Sequence, residues 1–409
     1  MKILLVHNYY QHRGGEDVVF ELERDLLRRE GHRVAEYCRS NDELHQLTLA
    51  GKIVAAKATV WARDSNRDLR AMLRQEKYDV VHVHNTFVQI SPSIYWACHE
   101  ADIPVVQTLH NYRLFCPSTN FVRDSHVCRE CMEHGVWRGV RHACFHNSRT
   151  ATASVALMLL VHRWFKTWTT CVDRYIALSN FARDQFVEAG LPPEKIHIKP
   201  NFVYPDPGCG NEKQDFAVYL GRLSEEKGLK TLLSALKLLN GRVPLVLIGD
   251  GPLRASLEAQ AASDQLSSVH FRGRLEHKEA LDLVRRSRFL VLPSQCYETF
   301  GLSIAEAYAC GVPVIASDLG SLAEIVDDGC TGLRFRPGDA ADLAQKIAWA
   351  WDHAEAMAAM GRAGRAKFES HYTSATNYAM LMDIYRTAIA ARGCTAQHNS
   401  ESRLIELRT

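Results

Sequence analysis

Apolar residues fall in short, nearly unbroken runs separated by longer amphipathic stretches, and the alternation repeats along most of the chain. Lys2–Val6, His32–Tyr37, Asp79–His84, Pro104–Leu109, Arg174–Leu178 and Ile196–Lys199 form one series. Phe216–Leu220, Leu245–Ile248, His270–Arg272, Phe289–Leu292, Val314–Ala316 and Gly332–Phe335 form another. Runs this short suit strands buried on both faces of a parallel sheet, and the periodic stretches between them suit crossover helices. A stretch with three prolines, Pro200 to Gly210, reads as a linker between the series. The pattern predicts an α/β protein of two doubly wound, Rossmann-like domains, residues 1–200 and 201–370, whose strand ends face a central cleft. A long amphipathic helix is expected over 371–392, and the polar segment 393–409 is expected to be disordered.

The densest chemistry lies between Leu292 and Asp318. After the strand, Glu298–Gly301 reads as an exposed turn and Leu302–Cys310 as a short helix, closed by Gly311 and Pro313. The turn is thereby set at the carboxyl end of a strand, where open α/β sheets bind ligands. Phe300, Gly301 and Leu302 would offer backbone N–H groups to a phosphate oxygen, and Gly301 would let the backbone come close. Glu298 and Glu306 bracket that helix start. Fixed acceptors beside an anion site suit a phosphate with hydroxyl groups on both sides, as in a nucleotide sugar.

The run Glu298-Thr-Phe-Gly-Leu-Ser-Ile-Ala-Glu306 resembles the paired-glutamate motif of retaining glycosyltransferases, family 4 in particular, and the likeness extends over nearly the whole chain. The resemblance implies a GT-B architecture in which the last helix crosses back to the first domain. It implies that Glu298 contacts the donor hexose, Glu306 the ribose, and Phe300 to Leu302 the diphosphate and sugar. In Gly221-Arg-Leu-Ser-Glu-Glu-Lys-Gly228 it gives Arg222 and Lys227 to the diphosphate, and two cations behind a strand end suit a leaving group of that charge. Gly14 and Gly15 would face the same diphosphate from the first domain. His110, in Thr108-Leu-His-Asn, would lie near the hexose, and Arg274 and Leu275 near the base. Glu298 as a covalent nucleophile is the alternative to same-face attack by the acceptor. In the loop after Gly320, Leu322 stands where the family usually has proline.

Composition narrows the partners. In 409 residues, 46% are hydrophobic and the charges nearly balance at +2, so no basic field points to nucleic acid. The amino-terminal apolar run is too short for a signal peptide, and no stretch approaches the length of a membrane span. Eight of the twelve cysteines are scattered, which suits a reducing cytoplasm. Gly249-Asp-Gly251 lacks the third glycine of a dinucleotide fingerprint, Arg254 occupying its place. No Asp-x-Asp pair suits a catalytic metal, so no cofactor is expected for catalysis.

Cys116, Cys128, Cys131 and Cys144 lie in an insertion, 116–146, with little helix or strand pattern. Four thiolates on a structural zinc would tie such a loop down; free thiols or a redox pair are the alternatives, and His142 or His146 could replace a ligand. His82 and His84 alternate onto one face of their strand, near its carboxyl end, and could equally bond within the core. The basic stretch 42–76 and the apolar-to-basic helix 150–168 suit either a solvated or sheet-packed helix or contact with the cytoplasmic face of a membrane. The expected function is hexosyl transfer to a glycan or lipid-linked acceptor, in polysaccharide or lipopolysaccharide synthesis. A GT-B epimerase or hydrolase, or a noncatalytic scaffold binding through the cysteines, would share parts of this pattern.

Overall fold

The computed structural model describes residues 1–11, 13–44, 49–124, 126–210 and 212–406, with backbone alone for 44, 49, 50, 52, 53 and 393–406. The strands are β1 (Lys2–Tyr9), β2 (Arg33–Ser40), β3 (Val80–Val83), β4 (Val105–Thr108), β5 (Val122–Arg123), β6 (His126–Val127), β7 (Arg174–Ala177) and β8 (Ile196–Ile198) in the first lobe. The second lobe has β9 (Ala217–Leu220), β10 (Leu245–Ile248), β11 (Val269–Gly273), β12 (Phe289–Leu292), β13 (Val314–Ser317) and β14 (Gly332–Phe335). One sheet runs β2-β1-β3-β4-β7-β8 and the other β11-β10-β9-β12-β13-β14, with every pairing parallel. Each strand of β3, β4, β12 and β13 is buried at all four positions, as expected of a sheet covered on both faces by helices. Strand order reverses between β1 and β3 in one lobe and between β9 and β12 in the other, and each reversal opens a crevice at the strands' carboxyl ends.

Two segments differ from expectation. The helix of Ser374–Glu406 begins after a break at Tyr372 and runs past Arg392, so the tail expected to be disordered is helical backbone as far as Glu406. Ala396, Glu401, Leu404 and Glu406 are good helix formers, which offsets the cost of Gly393. Residues 407–409 lie outside the described chain. The cysteine insertion carries the antiparallel hairpin β5-β6 and two one-turn helices, Glu130–His134 and Trp137–Arg141. Elements of two to five residues have no periodicity long enough to read from sequence.

The last helix packs on the first lobe. Tyr385 hydroxyl bonds His82 Nδ1 at 2.7 Å, Tyr378 meets His32 at 2.8 Å, and Arg392 reaches Asp102 and Asp173 at 3.0 and 3.3 Å. Beneath it lies a buried polar network. Lys199 Nζ donates to Glu23 and to Asn377 Oδ1, and the other oxygen of Glu23 lies 3.5 Å from His84 Nε2. Among the described residues, Glu23, His82 and His84 alone bring three potential metal ligands within 4.8 Å of one another. Both nitrogens of His82 are taken, by Tyr385 and by Thr108 at 2.8 Å, and the Lys199 ammonium sits on Glu23. The cluster is a structural ion network.

Candidate active site

The two loops at the second lobe's switch point are locked together. Gly228 has φ +67° and a Cβ there would lie 2.0 Å from Pro293 O, so the loop after β9 presses on the exit of β12. Gln295 N–H donates to Glu226 O at 2.8 Å across the same junction. This juxtaposition brings Lys227 Nζ to 2.5 Å from Glu298 Oε1, which also accepts from Ser294 Oγ at 2.8 Å. Burial alone would depress the Lys227 ammonium, but Glu298, with Cys296 and Tyr219, outweighs it and holds the charge on. A fixed cation and a fixed anion thus stand side by side at a crevice.

Phe300 and Glu306 are buried, and Gly301 opens the Leu302–Ala309 helix with Ile304 and Leu322 packed where a Cβ would be, at 2.8 and 3.0 Å. That contact gives the leucine at 322 a packing role. Glu306 accepts no hydrogen bond from a described side chain, and burial pushes its carboxyl up to about 8. His277 Nδ1 stands 3.6 Å away. Burial first and Arg13 second lower the imidazole's pKa, so His277 brings no lasting charge to Glu306 at neutral pH. Because Arg13 acts on His277, the glycine turn of the first lobe comes close to the Glu306 side of the second. Gly14 and Gly15 have ordinary φ, and a Cβ on either would meet nothing within 4 Å. Among the described residues no contact demands glycine at either position.

His110 follows β4 on the first lobe's edge and stacks on His84, with its Nε2 3.0 Å from His84 Nδ1. Burial, aided by His7 and Lys199, pushes it down to about 3, so it is a neutral imidazole across the physiological range. The same edge holds Glu16, which was not among the expected site residues. Asn111 Nδ2 donates to Glu16 at 3.0 Å, yet burial and neighbouring Asp17 push this carboxyl up to about 7. A glutamate directly after a glycine turn was the available signal. Arg113 stacks on Phe87, 3.6 Å from its ring centre. Arg222 is exposed on the second lobe; burial first, then Arg113 and Arg222, lower the pKa of His146, which places Arg222 opposite the first lobe. Arg274 is exposed and Leu275 half-buried beyond the end of β11, the sheet's outer edge and the far side of the crevice from Glu298.

The lobes meet through the loop that carries Glu298. Tyr112 hydroxyl and Ser321 Oγ donate to Glu298 O at 3.3 and 2.6 Å, Ser179 Oγ donates to Thr299 O at 3.0 Å, and Thr299 Oγ1 donates to His110 O at 2.8 Å. Glu324 accepts from the backbone N–H groups of Asn180 and Phe181, both at 2.8 to 2.9 Å, at the start of a first-lobe helix.

The four clustered cysteines lie behind the first-lobe wall of this site, the Cys116 N–H donating to Tyr112 O at 2.9 Å. Cys131 is pushed up to about 12 by burial and by the fields of Cys116, Cys144 and Cys128, and Cys144 up to about 11, so the thiols share one neighbourhood. Zinc about 2.3 Å from four sulfurs would hold them within about 3.8 Å of one another. No three of these sulfurs come within 4.8 Å of one another, so binding would require the segment to close in.

Two parallel six-stranded lobes meeting at their switch points define the GT-B architecture. Sucrose-phosphate synthase from Thermosynechococcus elongatus superposes with TM-score 0.71 over 96% of this chain and all of that one, at 19% identity. Anabaena HepE in complex with UDP superposes with TM-score 0.66 over 94% and 99%, at 18% identity. Residues 12–206 match glycosyltransferase family 4 and residues 209–367 match glycosyl transferases group 1. The chain belongs to glycosyltransferase family 4. D-rhamnosyltransferase WbpZ of Pseudomonas aeruginosa is 35% identical over 161 residues, and glycogen synthase of Mycobacterium tuberculosis 35% identical over 175. Those stretches cover 39% and 42% of this chain and 42% of each relative, less than half their length.

Proposed function

We propose that the chain transfers a hexose from a nucleotide-diphosphate sugar to a hydroxyl of a glycan or lipid-linked acceptor, with retention of the anomeric configuration. The observation that carries this is the Lys227–Glu298 pair at the switch point, with Arg222 across from the first lobe. Lys227, Arg222 and the N–H groups at Phe300 to Leu302 would neutralise the departing diphosphate, which requires no metal. Glu298 would accept from the hexose hydroxyls and Glu306 from the ribose, while Arg274 and Leu275 would meet the base. The glycine turn leaves room for the diphosphate to approach the first-lobe backbone. The bond from the anomeric carbon to the diphosphate breaks as the acceptor oxygen bonds to the same face, and the acceptor proton passes to the departing oxygen. His110, uncharged, would hydrogen-bond the hexose or the acceptor.

The Escherichia coli O-antigen chain mannosyltransferase C, 27% identical over 180 residues, supports polysaccharide or lipopolysaccharide synthesis as the setting. The test is turnover with a panel of uridine, guanosine and adenosine sugars, followed by the anomeric coupling constant of the product. Retained configuration and a rate unchanged by EDTA support the proposal. Epimerised or hydrolysed donor without acceptor, or an inverted product, refutes it.

A further inference from the structure

The helix Arg149–Trp164 packs its Val155, Met158, Leu159 and His162 inward, yet its opposite face is also apolar. Leu157 is 52% exposed, Leu160 51% and Trp164 86%, followed by Phe165 at 52%. With Ala153 these residues recur at i, i+4, i+7 and i+11, within an arc of about 60° at 3.6 residues per turn. A helix on a water-soluble surface ordinarily turns charge outward there. The neighbouring helix Leu49–Val60, packed against it, exposes Val54 at 66%.

Charge follows the same boundary. From His134 to Val172 there is no Asp or Glu but five Arg or Lys, and Leu44 to Arg63 likewise has no acid and three cations. At 47 acidic residues in 409, these 59 positions would otherwise carry about seven. Arg149, Lys166 and Lys57 are exposed and have no acidic partner among the described residues. In a nearly neutral protein, these two helices carry no anion and both show apolar side chains. Among the described residues no helix is long and apolar enough to cross a membrane.

We infer that the exposed face of the Arg149–Trp164 helix, with Val54 beside it, seats the protein on an anionic lipid bilayer, Leu157, Leu160, Trp164 and Phe165 entering the headgroup layer and the cations meeting lipid phosphates. The inner face of the same helix supplies Met158 to a cavity that also takes in Thr108, His110, Asn111 and Arg113. A bilayer on the outer face therefore lies about one helix diameter, about 10 Å, from that edge of the cleft. The inference stands without the transferase reading, since it concerns a surface outside the donor groups.

The experiment is sedimentation of the full chain with vesicles of phosphatidylcholine alone and of equal parts phosphatidylcholine and phosphatidylglycerol, without donor. Binding to the anionic vesicles only, weakened about tenfold or more by Leu160→Ser with Trp164→Ser and by high salt, is the expected result. Thermal melting and nucleotide binding of the variant should match the parent protein, because both side chains already face solvent. Absence of binding to anionic vesicles overturns the inference. So does a dimer, detected by light scattering, that these substitutions dissociate, because the face would then belong to a second copy.

Discussion

Glu306 offers the sharpest quantitative test. Burial without a compensating hydrogen bond raises its carboxyl to about 8, so the ligand-free protein holds it mostly protonated at neutral pH. Ribose hydroxyls donating to it would favour the carboxylate, and donor binding would then release a proton. At pH 6 about one molecule in a hundred is ionised, and at pH 8 about half. Affinity for a nucleotide sugar should therefore rise by one to two orders of magnitude between these pH values, about 2 kcal/mol, and level off above pH 9. A nucleotide sugar is the proper probe because its diphosphate diester does not titrate in this window. Titration calorimetry in two buffers of different ionisation enthalpy would count the proton released. Glu306→Gln should flatten the dependence. Stability gives an independent check with the opposite sign. A carboxyl whose pKa is raised on folding stabilises the native state fully below the unfolded value and loses that contribution as pH rises through about 8. The melting temperature of Glu306→Gln relative to the parent should accordingly climb from pH 5 to pH 9. A parent affinity that is level with pH, or a Gln variant with the same slope, refutes the assignment of Glu306 to the ribose.

Lys227→Ala should lower kcat by about 10² to 10³ with little change in far-UV circular dichroism, since it removes charge from the leaving group; rates near the parent's would remove Lys227 from the mechanism. Gly15→Ala, which meets no protein atom within 4 Å, should leave the melting temperature unchanged or slightly higher while weakening nucleotide-sugar binding, and unaltered binding would separate this turn from the donor. Lys199→Ala strands Glu23 in a fully buried site and should cost about 3 to 5 kcal/mol, read as a large fall in melting temperature; a small loss would mean that water reaches the cluster. Plasma emission spectrometry should find about one zinc per chain, lost in Cys128→Ser with Cys131→Ser, if the cysteine segment closes on the metal; four freely titrating thiols and no zinc would dispose of it.

Both sheets were legible because strands buried on two faces leave continuous apolar runs, as at Phe289–Leu292, and because prolines mark the crossing between lobes. The Glu298 to Glu306 segment was legible for a related reason: a strand end, a glycine and a helix start define the local backbone before any tertiary contact forms. What stayed hidden depends on distant residues meeting. Lys227 and Glu298 are 71 positions apart, and nothing local says that Gly228 will press on Pro293 and bring them together. Glu16 was absent from the expected site because its protonation is set by burial and by Asp17, with Asn111 bonded to it, and none of this is written in the local sequence. The histidines at 82 and 84 were correctly placed on one face, but their ties to Lys199, Glu23 and Tyr385 come from opposite ends of the chain. The sulfur spacing in the insertion likewise follows from packing that no short motif encodes.

The main chain at Glu298 and Thr299 accepts hydrogen bonds from Tyr112 and Ser179, both of the opposite lobe. Any swing of one lobe against the other must therefore tug on the strand of peptide that aims the Glu298 carboxylate, which the proposed reading turns toward the hexose. Opening to admit an acceptor and loosening the hold on the donor then become a single mechanical event. Substitutions confined to Tyr112 or Ser179 should then alter how tightly the sugar donor is retained.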